Sequence, residues 1–378
     1  MSTAVSVSPA SAATVAPTAE LTVVVPTYRE VGNVEALVGL LDAALAGIAW
    51  EVVFVDDDSP DGTADLVRTV ASRDPRVRIV HRLGRRGLSS ACIEGMLASA
   101  SPYVAVMDAD LQHDETLLPK MLAVLKAGDA DVVIGSRYVD GGGLGGWDAS
   151  RAQISQTATR LSRLVLPTPV ADPMSGFFML PRAVFLDRAR ALSGIGFKIL
   201  LDLLTARREA LRIRELPYTF RNRVAGESKL DSSVAWDFLM LVGDRLVGRY
   251  VPFRFVAFAI VGGIGVVVHF AILTTLLKAF AEPFATAQGV ATVCAMVFNF
   301  AVNNLLTFRD RRLKGVRWFT GLASFMLACS IGAFANVGIA AYLFKQDYQW
   351  ALAALAGILI GAVWNYAITN AYTWKKKG

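Results

Sequence analysis

Residues 103–112 read YVAVMDADLQ, an apolar run followed at once by two aspartates. A short apolar run that ends in polar residues predicts a buried β-strand, here residues 103–107. Asp108 and Asp110 follow its carboxyl end, with Gln112 close behind. Mg²⁺ in proteins is usually held by one or two carboxylates together with substrate phosphates. We therefore interpret the motif as a site for a metal-bound diphosphate, the alternative being a solvated acidic loop.

Strand and helix patterns alternate on both sides of this motif. Strands are predicted at residues 21–26, 51–55, 77–80 and 131–134, and helices at 33–46, 64–73, 89–100 and 115–126. Such alternation is typical of an α/β domain whose largely parallel sheet is covered on both faces. Ligands bind these sheets at the carboxyl ends of the strands, where the polar strings PTYRE (26–30) and DDDSPDGT (56–63) fall. One carboxylate there can read a base or a ribose while another caps the next helix.

The chain is 54% apolar, and the excess lies mainly after Val251. Four apolar segments, residues 253–280, 284–308, 318–344 and 350–374, are each long enough to cross a bilayer as a helix. Lys and Arg concentrate in the loop at 309–317 and at the C-terminus. The positive-inside rule therefore predicts an integral protein of the cytoplasmic membrane whose termini and α/β domain lie in the cytoplasm.

Two further segments flank the α/β domain. Residues 1–20 contain no basic residue and no continuous apolar core, so we interpret them as a disordered tail and not as a signal peptide. Residues 231–252 are amphipathic and form either a core-facing helix or an interfacial helix next to the first span. Trp236 and the arginines before that span favour the interfacial alternative.

Composition excludes some classes of partner and site. The three cysteines are isolated, which argues against a disulfide framework or a zinc site. The net charge of +6 fits a basic cytoplasmic face. No basic stripe interleaved with aromatic residues lies on one element, so nucleic acid is not an expected partner.

The second and fourth apolar segments resemble each other. The second holds Asn299, Asn303 and Asn304 and ends in Thr307-Phe308, and the fourth holds Asn365 and Asn370 and ends in Thr373-Trp374. The similarity indicates two helical hairpins related by duplication. Amides inside a span are costly unless another helix bonds them, so these residues either join helices or line a path for a lipid phosphate.

Several strings together resemble a known enzyme family. VVVPTYRE, FVDDDSPDGT and MDADLQ, in this order, are similar to glycosyltransferase family 2 enzymes of the GT-A fold. GSRYVDGGGLGGWDASRAQIS, DPMSGFFML, GFKILLDLL and FRNRVAGESKL closely resemble the dolichol-phosphate mannose synthase branch. RFVAFAIVGGIG and FNFAVNNLLTF resemble the GtrA-like four-span domain. The resemblance implies a Rossmann-like GT-A domain at residues 21–230 and a GtrA-like domain at 253–378.

The resemblance also implies roles for individual residues. The nucleotide sugar would contact Pro26, Tyr28, Glu30, Val55, Asp57, Arg86, Asp108, Ala109 and Asp110, with Asp57 reading the base. Mg²⁺ or Mn²⁺ would be held by Asp108, Asp110 and Gln112. The acceptor phosphate would be held by Arg137, Arg151, Ser155, Arg223 and Lys229. Asp108, Asp110, Arg137 and Arg223 would be the catalytic residues. Relatives often carry Lys at the position of Arg86, which keeps the charge but changes the geometry.

The residues after the acidic motif agree with an anionic acceptor. Arg137, Arg151, Arg221 and Arg223 all follow it in the chain, and Arg binds phosphate through a planar, always charged fork. A phosphate acceptor is already ionised near pH 7, so no strong base is required and His113 is expected only to line the loop.

We therefore expect transfer of mannose from GDP-mannose to a polyprenyl or dolichyl phosphate, by one in-line displacement with inversion. The lipid bilayer is a further partner, and the sequence leaves the oligomeric state open, a homo-oligomer included. One alternative is a UDP-sugar donor such as UDP-glucose. Another is a flippase or transporter with a nucleotide-sugar-sensing domain. A processive polysaccharide synthase is disfavoured because the chain has no Q-x-x-R-W string.

Overall fold

The computed structural model describes residues 19–143, 145, 159–194, 198–207, 209–221, 238–243, 251–346 and 350–375. The chain divides into two compact units, Met1–Arg245 and Leu246–Gly378. The predicted disordered tail lies outside the described residues except for its last two positions, and so does most of the segment 231–252.

A seven-stranded sheet organises the N-terminal unit. Its strands are β1 Leu21–Thr27, β2 Trp50–Asp56, β3 Val77–His81, β4 Tyr103–Val106, β5 Val132–Ser136, β6 Phe178–Pro181 and β7 Ile213–Pro217. They lie in the order β3-β2-β1-β4-β6-β5-β7. Every pairing is parallel except those of β6, which runs antiparallel to β4 and β5. The mostly parallel sheet predicted from the sequence is confirmed, whereas β6 and β7 were not among the predicted strands.

Helices cover both faces of this sheet. They are α1 Val34–Ala44, α2 Thr63–Ala71, α3 Leu88–Ala98, α4 Leu118–Lys126, α5 Arg182–Ala189 and α6 Ile199–Thr205. Val23 and Val25 of β1 face the core layer formed with α1, α2 and α4, whereas Val24 faces the layer formed with α3, α5 and α6. Because successive strand residues point to opposite faces, burial on both sides requires an unbroken apolar run, which is the pattern that predicted β1.

A short helical piece at 238–243 packs on the N-terminal unit. Phe238, Leu241 and Val242 are buried against Met174 and Leu201. Within these six residues the contacts are those of a core-facing helix. The interfacial role expected for the whole of 231–252 stays a prediction, since the other residues of that segment up to 250 are not described.

The C-terminal unit consists of long apolar helices. They are α7 Phe253–Ala279, α8 Phe284–Leu305, α9 Val316–Lys345 and α10 Trp350–Ile368, which continues into a π-helical turn at Thr369–Thr373. Among the described residues, three stretches are long and apolar enough to cross a membrane: Phe253–Ala279, Phe284–Leu305 and Val316–Phe334. The fourth predicted span is helical, but its crossing of the membrane stays a prediction.

The two helical hairpins of this unit repeat the same close contact. The spacing F-x₅-I-G ends at Gly265 on α7 and at Gly332 on α9. The side-chain amide of Asn299 on α8 packs directly on Gly265, and that of Asn365 on α10 packs directly on Gly332. Both amide oxygens are buried and accept no hydrogen bond within the described residues. Each glycine therefore allows a backbone and an amide to approach more closely than any side chain would permit.

Aromatic rings at equivalent positions of the two hairpins also stack in a similar way. Phe300 stacks on Trp374 at 5.5 Å between ring centroids, and its counterpart Tyr366 stacks on Phe308 at 6.4 Å. Phe308 and Trp374, which are themselves counterparts, stack at 4.1 Å with an angle of 5° between their planes. The C-terminal unit is therefore built as two similar hairpins, as the repeated asparagines indicated.

Candidate active site

The site lies where the carboxyl ends of β1, β2 and β4 meet. Each of the three loops that leave these strands contains one non-glycine residue with a left-handed backbone: Arg29 (φ 61°), Asp58 (φ 58°) and Leu111 (φ 60°). Such conformations cost free energy and cluster at functional sites. Glu30 lies close enough to raise the pKa of Asp108, so the loops after β1 and β4 share one electrostatic environment.

Asp57 is held by two protein donors. Arg82 donates from Nη1 to Oδ1 at 2.6 Å, and the backbone N–H of Gly87 donates to Oδ2 at 2.6 Å. Burial raises the pKa of Asp57, and the bonds to Gly87 and Arg82 oppose this rise. Arg82 also donates to Ser90 at 2.6 Å and is almost fully buried. The carboxylate expected to read the base is thus fixed in place by an arginine that the sequence did not single out.

Tyr28 and Arg86 lie together at the edge of this region. The guanidinium of Arg86 stands over the Tyr28 ring at 4.3 Å from its centroid. Pro26 and Val55 are partners in the β1–β2 register and are both buried beneath the loops. The side chains that reach the surface here are therefore those of Tyr28 and Arg86 and not those of the two strand residues.

The acidic motif after β4 forms a compact turn. Asp110 is buried and accepts from the backbone N–H of Gln112 at 3.2 Å. Gln112 is buried as well, and its Nε2 donates to the carbonyl of Arg221 at 2.8 Å. About a third of the Asp108 side chain is exposed, at 34%. Burial of the rest of the side chain, followed by the charge of Asp110, raises the pKa of Asp108.

This donor set fits a divalent cation. Two carboxylates and one amide supply oxygen ligands. Burial and the charge of Asp110 both disfavour a negative charge on Asp108, and a bound cation would offset these two effects. No group of three or more His, Cys, Asp or Glu residues that could hold a metal occurs in the part of the chain that the structure describes. Mg²⁺ held by one or two carboxylates usually takes substrate phosphates as further ligands.

His113 is buried and contacts the backbone of the acidic motif. Its Nδ1 accepts from the backbone N–H of Asp108 at 3.3 Å. Its ring stacks on Phe177 at 5.1 Å and meets Tyr218 edge-on at 5.8 Å. Burial lowers the pKa of His113 to about 4. The imidazole is therefore neutral near pH 7 and anchors the backbone of Asp108.

Arg137 follows β5 and is tied to a carboxylate. Its Nε and Nη2 donate to the two oxygens of Asp172 at 2.7 and 2.8 Å, and its backbone N–H donates to Oδ2 at 3.1 Å. Asp172 is fully buried. The pair lies on the side of the site formed by β5, β6 and β7.

Comparison with known proteins covers both units. Residues 22–188 match the model of glycosyl transferase family 2, and residues 257–374 match that of the GtrA/DPMS transmembrane domain. A dolichol-phosphate mannosyltransferase of Pyrococcus furiosus is 35% identical over 357 residues, which cover 94% of this chain and 99% of that protein. The chain belongs to the dolichol-phosphate mannosyltransferase family.

Two further comparisons cover a smaller part of this mannosyltransferase-family chain. An undecaprenyl-phosphate mannosyltransferase of Micrococcus luteus is 36% identical over 56% of this chain and 87% of that protein. The crystal structure of glucosyl-3-phosphoglycerate synthase from Mycobacterium tuberculosis, in complex with Mn²⁺, UDP-glucose and phosphoglyceric acid, aligns with a TM-score of 0.44 at 20% identity. That alignment covers 60% of this chain and 80% of the synthase.

Of the residues predicted near the acceptor phosphate in this mannosyltransferase-family member, one makes other contacts and four are not described. Arg221 donates to Glu115 at 2.7 Å and to Asp114 at 3.1 Å, so its guanidinium is engaged by two carboxylates. Four residues expected at the acceptor phosphate lie outside the described residues: Arg151, Ser155, Arg223 and Lys229.

Lys198 is a candidate site residue that sequence reasoning missed. It precedes α6 and lies close enough to Arg137, Asp172 and Asp108 for their charges to act on it. Burial, followed by the charge of Arg137, lowers its pKa to about 8. The string GFKILLDLL was part of the resemblance to the mannosyltransferase family, and a lysine before an apolar helix was the available signal.

Proposed function

We propose that this protein transfers mannose from GDP-mannose to the phosphate of a polyprenyl or dolichyl phosphate, giving a β-linked mannosyl phosphate lipid and GDP. Membership of the dolichol-phosphate mannosyltransferase family supports the sugar and the lipid class. The observation that carries the proposal is the arrangement of charge at one sheet edge. The carboxylate of Asp108 lies close enough to Asp110 and to the cations Arg137 and Lys198 for their charges to act on it, which suits a metal-bound diphosphate beside a second phosphate.

In this mechanism a phosphate oxygen of the lipid attacks the anomeric carbon as the bond to the donor diphosphate breaks. The electron pair of that bond leaves with GDP, and the configuration inverts. Arg137 and Lys198 would hold the acceptor's charge beside the donor. Asp108, Asp110 and Gln112 would hold Mg²⁺ or Mn²⁺, which offsets the negative charge on the leaving diphosphate. Positioning and electrostatics then supply most of the rate.

No protein base is required. The acceptor phosphate is already ionised near pH 7, and neutral His113 is buried among aromatic rings with its Nδ1 accepting from Asp108. Its role in the proposed reaction is to hold the backbone of Asp108 in place.

The membrane helices complete the proposal. The GtrA/DPMS match and the three apolar helices make this a membrane protein. We propose that α10 is a fourth span and that the basic loop at 309–317 lies in the cytoplasm, together with both termini and the N-terminal unit. The acceptor's phosphate lies at the surface of the same membrane, so the spans would keep enzyme and acceptor together.

Donor specificity tests the proposal. Purified protein in detergent, with Mg²⁺ or Mn²⁺ and a short polyprenyl phosphate, is offered labelled GDP-mannose or labelled UDP-glucose. Label in the lipid phase from GDP-mannose alone is the expected result. Label from UDP-glucose alone would replace the donor but keep the reaction class. Nucleotide binding without any lipid label would favour the transporter alternative.

The variant Asp110→Asn tests the proposed role of Asp110 as a metal ligand. The amide removes one of the two charges that would hold the metal, so we expect transfer to fall to background while nucleotide binding is partly retained. Equal turnover by wild type and variant in the presence of metal would contradict the assignment of Asp110 as a ligand.

A further inference from the structure

The ion pair between Arg137 and Asp172 is almost fully buried. The Arg137 side chain is 8% exposed and that of Asp172 is 0% exposed. Taking two charges out of water is costly unless the geometry is good and the remaining bonding capacity is used. The three hydrogen bonds from Arg137 to Asp172 meet that condition, since they use the backbone N–H, Nε and Nη2.

The backbone around Asp172 is itself held by a second carboxylate. The N–H groups of Ala171 and Asp172 donate to Glu215 at 2.8 and 3.0 Å. Glu215 lies on β7, opposite Ile134 of β5 in the strand register. Arg137 directly follows β5. These contacts therefore link the end of β5, through Arg137, Asp172 and Glu215, to β7, the strand that pairs with β5.

The loop that carries Asp172 continues to the other half of the site. Ser175 donates from Oγ to the carbonyl of Gly135 at 2.7 Å, which fastens the loop to the end of β5. Gly176 then lies against Asp108, where an added Cβ would stand 2.9 Å from Oδ2. The stretch 171–177 therefore contacts Arg137 near its start and Asp108 near its end.

We infer that Asp172 is a positioning residue for the acceptor's phosphate: it sets the plane and direction of the Arg137 guanidinium relative to Asp108. This inference rests on the proposed function, in which Arg137 meets the acceptor and Asp108 the donor. A guanidinium held along its Nε–Nη2 edge by a buried carboxylate cannot turn to follow a misplaced phosphate, so the acceptor has to adapt to the arginine. The loop 171–177 then fixes the separation between the two reacting substrates.

The test is Asp172→Asn in the full-length enzyme. An amide oxygen can accept from Arg137 on one side only, so the fork is held less firmly and loses its charge partner. We expect the KM for polyprenyl phosphate to rise on the order of tenfold or more, with the KM for the sugar nucleotide within about twofold of wild type. A structural role alone would lower the amount of active enzyme and leave both KM values unchanged.

The chain offers a matched control at the opposite end of the same strands. Arg212 donates to Asp131 through its backbone N–H, Nε and Nη2, at 2.9, 3.3 and 2.7 Å, but its side chain is 63% exposed. The same three donor atoms are therefore used as in the buried pair. Asp131→Asn should leave both KM values and kcat as in wild type.

A double variant shows whether Asp172 acts through Arg137. In an Arg137→Ala background, Asp172→Asn should change the acceptor KM by less than about twofold, because residues that act as a unit are not additive. If Asp172→Asn raised the acceptor KM in the Arg137→Ala background as much as it does in the wild-type background, the inference would be overturned. If Asp172→Asn does not fold, Glu215→Gln loosens the same loop and should raise the acceptor KM in the same direction.

The outcomes separate the two proposals. An active wild-type enzyme whose acceptor KM is unaltered in Asp172→Asn and Glu215→Gln would overturn the positioning role and leave the proposed function standing. A wild-type enzyme that transfers no sugar from any donor would overturn both.

Discussion

Arg82 shows how much one buried residue contributes to this site. Its guanidinium contacts Asp57, the carbonyl of Gly87 and Ser90, and so joins the end of β2 to the start of α3. Its side chain is only 3% exposed. Removal of the guanidinium would leave the Asp57 carboxylate without its only charged partner among the described hydrogen bonds.

We predict that Arg82→Met lowers the free energy of unfolding of the N-terminal unit by roughly 3–5 kcal/mol, because it leaves a buried charge uncompensated. Denaturant unfolding in detergent, followed by fluorescence, measures the change. Arg78→Met is the control, since its pair with Glu51 is partly exposed and worth about 0–1 kcal/mol. Equal losses in the two variants would show that burial of the Asp57 pair contributes nothing.

At the residue scale, the positions of the acidic motifs could be predicted from the sequence, whereas the buried charged residues Arg82 and Asp172 could not. Asp57, Asp108 and Asp110 follow apolar strands, and that local pattern predicts a position at a sheet edge. Arg82 and Asp172 have no such pattern, because the burial of a charged residue depends on a partner far away in the chain. Arg137 and Asp172 are 35 positions apart in the chain, and the sequence between them carries no signal that the two will meet.

At the scale of the element, α3 illustrates packing that a helix pattern cannot reveal. Gly95 lies in its middle, and an added Cβ there would meet Val24 of β1 and stand 2.8 Å from Val55 of β2. Glycine is unfavourable inside a helix by about 1 kcal/mol relative to alanine. That cost is offset because the absence of a side chain lets α3 pack directly on β1 and β2, the strands that lead into two loops of the candidate site.

We predict that Gly95→Ala lowers the free energy of unfolding by about 1–3 kcal/mol through overpacking. Gly39→Ala in α1 should instead raise it by about 0.5–1 kcal/mol, since nothing lies within 4 Å of the added Cβ. Denaturant unfolding of both variants checks the sign of each change. Stabilisation by both alanines would mean that α3 can move away from the sheet without loss.

The strands also differ in how well sequence predicts them. β1, β2 and β4 are apolar over nearly their whole length because both faces of the sheet are covered. β7 reads IRELP, and its Arg214 and Glu215 interrupt the apolar pattern. β6 has only four residues and joins the sheet antiparallel between β4 and β5. Its place is decided by contacts between distant parts of the chain, so no local pattern could have revealed it.

At the scale of the whole molecule, the two units are built differently. The C-terminal unit contains an internal repeat of two similar helical hairpins. Gly265 and Gly332 occupy equivalent places and each receives the amide of one asparagine, Asn299 or Asn365. The repeated asparagines in the sequence indicated the duplication, whereas the glycines that accommodate them became evident only from the contacts.

We predict that Gly265→Ala and Gly332→Ala lower the thermal unfolding midpoint in detergent by similar amounts, because each forces an amide and a helix apart by the same clash. Gly289→Ala on α8 is the control, since no atom lies within 4 Å of its added Cβ. A large effect from only one of the two glycines would show that the hairpins no longer contribute equally to stability.

The place of β6 in the sheet has a consequence for synthesis of the chain on the ribosome. Both neighbours of β5, namely β6 and β7, are made after it, and β6 begins at Phe178 whereas β5 ends at Ser136. At translation rates of about 5–20 residues per second, β5 waits roughly 2–8 seconds for its first partner. During that delay its apolar residues have no sheet to join, while β1, β2 and β3 can already pair. We therefore expect the newborn chain to be most dependent on chaperones in this interval, and its tendency to aggregate to be greatest there.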